Sequence, residues 1–300
     1  HKLGVTMDNK LNNMINEFIK TSGAKNIDEL NEQLQMFVQQ YNDGEIQYEN
    51  TPLDDAYELL EKAENAKTKA QALRYAKKAY QTCSDCFDAI IFQVTLEENQ
   101  QARTKLLDEG LEHEKKRLEK AGYFHKENIG RFYGLFETRP YIRGLEAKIQ
   151  ILLVEGKIKQ ARQVCQEVIR LNTNDNLGVR YYLLAIAAYL EDESALLKVY
   201  KKYPEENLET LLPFLIFYYK QSNDKKAIEY LQRINKANPY LITFFDQGLE
   251  EEEDVPDGSY SRGKPSEVLM YMERYAFLLL ATPGIVDYIL EHKPTEKSAD

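Results

Sequence analysis

A repeat constrains this chain more than any single motif does. In "LEAKIQILLVEGKIKQARQVCQEVIRLNTND" the apolar and small positions are Leu145, Ile149, Leu152, Gly156, Ala161, Cys165, Val168 and Thr173. In "ETLLPFLIFYYKQSNDKKAIEYLQRINKANP" the matching positions are Leu211, Leu215, Tyr218, Ser222, Ala227, Leu231, Ile234 and Pro239, each displaced by the same 66 residues. Between them Val179, Leu183, Ile186, Ala195 and Val199 divide the interval into steps of 34 and 32. A period near 34 is the tetratricopeptide spacing, in which each unit is a pair of antiparallel helices that cannot bury its apolar face alone. A small residue early in each second helix lets the backbones approach, and Ala161, Ala195 and Ala227 fill that place. The expected fold is all-α, a right-handed tetratricopeptide-like superhelix of stacked helical hairpins.

The period sets the expected boundaries. Residues 1–6 read as a vector remnant in front of Met7, and residues 7–50 as an N-terminal helical pair, "LNNMINEFIK" and "IDELNEQLQMFVQQY". Residues 51–240 carry the repeats, with an early unit around Ala56, Ala63, Ala72, Ala76 and Ala79 and a degenerate unit at about 87–120. Residues 241–263 read as an acidic loop, 264–292 as a C-terminal helical pair whose second helix is capped by Thr282, and 293–300 as a flexible tail.

Composition excludes several classes. A net charge of -10, with lysines interleaved among glutamates, argues against phosphate-driven nucleic-acid binding. The most apolar stretch, "TLLPFLIFYYK", ends at Lys220 within a dozen positions, too short for a membrane span. Three cysteines and no export signal suggest a reducing cytoplasm.

Three phrases, "YGLFETRPYIR", "LNTNDNLGVRYYLL" and "ATPGIVDYI", occur in the order found in bacterial tetratricopeptide proteins related to the suppressor-of-tumorigenicity group. The chain resembles that group over roughly residues 52–290. The resemblance implies an all-α repeat fold and says almost nothing about activity.

No catalytic constellation stands out. His113, His125 and His292 are scattered in charged sequence, and no phosphate loop, GxSxG elbow or HExxH is present. Cys83 and Cys86 form a lone CxxC without the further ligands a structural zinc needs, and Glu250 to Asp254 lack the spacing of a calcium loop. The reading is therefore a non-enzyme without metal or cofactor.

The groove lined by the first helices is the candidate site. Alignment of the repeats places Arg143, Glu146 and Gln150, then Arg180 and Leu184, then Ile216 and Tyr219 along it. Apolar ground with a few charges suits a peptide segment or a partner helix. Glu137, Arg139 and Asn176 are further polar residues of the family-like phrases. Arg143 and Arg180 either grip a bound carboxylate or carbonyl, or belong to an internal ion-pair network such as Glu137 with Arg139 or Glu146 with Arg180. Phe132, Tyr133 and Phe136 are expected to wedge the preceding helix against the repeats. The leading functional expectation is a cytoplasmic interaction scaffold for a protein or peptide. A peptide-sensing regulator is the alternative and an enzyme comes third; oligomeric state is not legible.

Overall fold

The computed structural model describes residues 14–15, 18–19, 21–44, 50–249 and 260–293. Among them are fourteen α-helices and one 3-10 turn, no strand, and a single isolated bridge between Arg131 and Asn172, so the protein is all-α. Most of "LNNMINEFIK", the acidic run Glu250 to Asp254 and the tail from 294 onward lie outside the described residues. The chain divides into two compact units, residues 1–117 and 118–300.

In the first unit α1 spans Ile27–Asn42 and is capped by Asn26, whose side chain accepts the Glu29 N–H. Helix α2 (Pro52–Glu64) begins with a reciprocal capping box, Thr51 with Asp54, and with Pro52 in the first turn, where a missing N–H costs nothing. Helix α3 (Lys69–Thr82) folds back on α2, and Ala56, Ala63, Ala72, Ala76 and Ala79 line their contact. Helix α4 (Asp88–Leu96) packs on α3, adding Cys86 and Phe92 to that core. Helix α5 (Gln100–Lys120) comes next, and the first unit ends within it. A β-carbon on Gly110 of α5 would stand 2.8 Å from Ile90 Cγ2 and 2.9 Å from Phe87 Cε2, so only glycine allows this close approach to α4.

The second unit contains the aligned repeats. Segment 130–132 pairs with the exit of a later helix, through Phe132 N to Leu171 O and Thr173 N to Gly130 O, both 3.0 Å. A 3-10 turn, Phe136–Thr138, then leads into α6 (Arg139–Val154). Three hairpins follow: α6 with α7 (Ile158–Leu171), α8 (Val179–Tyr189) with α9 (Glu193–Lys202), and α10 (Leu208–Lys220) with α11 (Asp224–Ala237). Ala161 and Ala227 are fully buried at their helix contacts. Ala195 is only partly buried; in the shorter α9 the neighbouring Leu196 takes the interior place. Helix α12 (Tyr240–Gln247) occupies the beginning of the segment read as a loop, and α13 (Pro265–Leu280) and α14 (Ile285–Glu291) close the described chain.

The second helices are amphipathic, each shedding one face to solvent. The first helices are not: every residue of α10 from Leu208 to Tyr218 is buried, as is nearly all of α8. A helix that is apolar all round must be covered on every side. The second helices cover one side of this row, and α13 lies against α6, α8 and α10 on another. Among the described residues α13 therefore covers part of the first helices that the sequence reading takes as groove-lining.

Two local expectations change for physical reasons. Thr282 does not cap the last helix; its hydroxyl donates to Leu278 O at 2.7 Å, closing the end of α13, and Gly284 precedes α14 instead. Of the three aromatics expected to act as a wedge, only Phe132 is fully buried, edge-on to Phe124 at 5.0 Å. Phe136 remains 36% exposed, and the Arg139 guanidinium lies over its ring at 4.1 Å.

Candidate functional site

The turn between α7 and α8 builds one wall of a cleft. Asp175, in a left-handed conformation (φ 50), is buried and accepts the N–H groups of Val179 at 2.7 Å and Arg180 at 3.0 Å, capping α8 from outside the helix. The same carboxylate pairs with Arg180 Nη1 at 2.9 Å. Arg180 Nη2 donates to Tyr181 Oη at 2.8 Å and to Glu205 Oε1 at 3.0 Å.

Glu205 is the hub of this network. Its carboxylate also accepts from the Tyr181 hydroxyl, from Asn207 Nδ2 at 2.8 Å and from Arg262 Nη2 at 3.3 Å. Burial opposes its ionisation, yet the Tyr181 hydroxyl and the guanidiniums of Arg180 and Arg262 together hold it below the usual carboxylate range.

A second carboxyl pair lies at the junction of α10 and α13. Glu267 accepts from Gly263 N (2.7 Å), Asn238 Nδ2 (2.8 Å) and Leu208 N (3.4 Å), tying the start of α13 to α10 and to the end of α11. Beside it Glu209 accepts from the Tyr260 hydroxyl at 3.1 Å. Burial first, and the adjacent Glu267 charge second, push the Glu209 carboxyl up to about 7.

These residues surround a half-open cleft of about 260 Å³ whose walls include Asn176, Arg180, Tyr181, Glu209, Tyr260, Arg262, Met270, Arg274 and Tyr275. Arg274 differs from the other arginines here. Half-buried, it has Tyr182, Tyr275, Glu146 and Glu273 as its ionisable neighbours, yet among the described residues no hydrogen bond or ion pair joins it to them. Glu146, raised by burial, has Arg274, Asp175 and Arg143 as its charged neighbours.

The sequence-predicted residues divide accordingly. Arg180, Asn176 and Glu146 gather at or beside the cleft, and Arg143 lies near Glu146. Of the two alternatives for Arg180, an internal ion-pair network is formed, with Asp175 and Glu205 rather than Glu146 as its partners. Gln150 donates to Tyr182 Oη at 3.1 Å, and the Tyr182 ring contacts Tyr275 of α13. Leu184 and Ile216 are buried. Tyr219 sits at the far end, donating to Pro283 O and packing on Tyr288. Arg139 turns away from the cleft, donating to Tyr133 O at 2.6 Å. Glu137 is partly buried in the entry to α6.

Sequence reasoning missed Tyr260, Arg262, Glu267, Arg274 and Tyr275. The signal was in "SEVLMYMERYAFLLLA": Glu267, Tyr271, Arg274, Tyr275 and Leu278 fall on one helical face, so two charges share a stripe with buried residues.

Cys83 ends α3 and Cys86 is buried in the turn after it; burial, with the Asp88 charge as a smaller cause, pushes the Cys86 thiol up. Among the described residues no group of three metal-ligating side chains is assembled, and no helix is long and apolar enough to cross a membrane. The fold and site define an all-α protein of helical hairpins with a charged, tyrosine-walled cleft. No protein-family model matches the chain, and no curated protein matches it either.

Proposed function

We propose that this is a tetratricopeptide-like interaction protein, its hairpins stacked as a right-handed superhelix, which binds a segment of another protein without catalysing a reaction. The 34-residue period and the three family-like phrases support the tetratricopeptide assignment and the kinship with the suppressor-of-tumorigenicity group. The observation that carries the binding reading is α13, which lies along α6, α8 and α10. A surface that receives one helix through apolar contacts, tyrosine pairs and a few buried charges has the chemistry of a helix-in-groove site.

A second reading is favoured by the cleft. With α13 packed on α6, α8 and α10, the cleft beside it is about 260 Å³, the size for the end of a peptide rather than an extended segment. That suits a protein that senses a short peptide.

Affinity recovery of the full chain from its native cell separates the two. One stoichiometric protein supports the scaffold; a retained short peptide supports the sensor. Recovery of neither, from cells expressing the protein at its normal level, removes both.

A further inference from the structure

Arg274 lines the cleft beside α13 and, among the described residues, has no hydrogen-bond acceptor, and we propose that the cleft is a receptor for the C-terminal carboxylate of a peptide, held by Arg274 with Arg262. This rests on the peptide-binding reading above and names the group recognised.

Arg274 carries five N–H donors and, among the described residues, meets no acceptor, whereas Arg180 is bonded to both Asp175 and Glu205. Among the described residues even Arg180 leaves its buried Nε without a partner. The donor fork of Arg274 matches a planar carboxylate bidentately. Arg262 stands at the rim, 62% exposed and, among the described residues, bonded to Glu205 alone at 3.3 Å, so a second acceptor can share it.

The charge of the ligand follows from the same walls. Asp175, Glu205 and Glu209 lie within or beside the cleft, and their field penalises a doubly charged phosphate more than a singly charged carboxylate. Tyr181, Tyr260, Tyr275 and Met270 supply apolar and amphipathic surface for the terminal side chain. The volume, about 260 Å³, is below the roughly 300–1,000 Å³ of sites for drug-sized ligands and fits one or two terminal residues.

The test uses the full chain and two arrays of random hexapeptides fixed through their N-termini, one with free C-terminal carboxylates and one amidated. Binding to a subset of the free-carboxylate array, weakened at least tenfold by amidation, is expected. Arg274→Ala should weaken it at least tenfold, and Arg274→Lys should restore part of the loss while the thermal midpoints of both variants remain near that of the parent. Equal binding to the amidated array overturns the carboxylate assignment while leaving a peptide-binding protein. Binding of free glutamate or inorganic phosphate with both arrays blank overturns the peptide end in favour of a small anion. A native partner captured equally well by the parent and by Arg274→Ala leaves the scaffold standing and sinks this cleft as its contact.

Discussion

The hydroxyl of Tyr219 donates to the carbonyl of Pro283 at 3.0 Å, joining the end of α10 to the turn between α13 and α14 across 64 positions of chain. The next residue, Gly284, has φ +78, and a β-carbon there would stand 2.7 Å from the same hydroxyl. Gly284→Ala therefore combines left-handed strain with overpacking, about 2–4 kcal/mol together. Tyr219→Phe should cost only about 0.5–1.5 kcal/mol, for one hydrogen bond. In the double variant the clash with the hydroxyl is gone and the strain remains, so the two losses should be less than additive. Additive thermal destabilisation would show that the contact does not fix this turn.

Arg180 and Arg262 share Glu205, but their burial differs and so should their worth. The Arg180 and Asp175 side chains are 15% and 0% exposed, and Arg180→Ala leaves the buried Asp175 carboxylate with backbone N–H donors but no counter-charge, a loss of up to roughly 3–5 kcal/mol. Arg262 is largely exposed, and Arg262→Ala should cost less than about 1 kcal/mol. Denaturant unfolding of both variants measures the difference. Equal small losses would mean that Arg180 is free to serve a ligand.

Glu209 makes stability depend on pH in a direction opposite to that of an ordinary ion-paired carboxylate. Its folded pKa, about 7, lies above the usual carboxylate value near 4.5, so the folded state binds the proton more tightly than the unfolded chain. The contribution is fully present below about 4.5 and is lost as pH rises through about 7, on the order of 3 kcal/mol. Glu209→Gln keeps an acceptor for Tyr260 and removes the titration. Its stability should be flatter than that of the parent between pH 4.5 and 7; an unchanged slope would place the proton elsewhere.

Packing gives the fourth test. In an exposed helix Gly110→Ala would stabilise by about 0.5–1 kcal/mol. Here the new methyl meets Ile90 and Phe87 below 3 Å, so overpacking of about 1–3 kcal/mol should win and lower the thermal midpoint. By the same reasoning Ala161→Leu and Ala227→Leu, at fully buried positions, should each cost about 1–3 kcal/mol, and Ala195→Leu less. Equal effects at all three alanines would contradict the different burial of α9.

The hairpins were legible in the sequence because they are local. A small residue at Ala161 or Ala227 and apolar positions three and four residues apart define each pair from within about 34 residues of chain. Arg180 could be singled out for the same reason: it follows the turn "NDNLG", and its principal partner, Asp175, is five positions away.

What tertiary structure decided is what covers the first helices. The all-round apolar character of "LETLLPFLIFYY" required a cover on both sides, but periodicity cannot say whether a partner or the chain itself supplies it. The answer depends on α13, whose Glu267 reaches Leu208 N across 59 positions and Asn238 across 29. Those bonds form only when α10, the end of α11 and the start of α13 are already in place, and no pattern of spacing records them. The cleft has the same origin: Arg180 was set by its own turn, but Arg262 and Arg274 reach the cleft only through the docking of α13, which brings Arg274 beside Glu146.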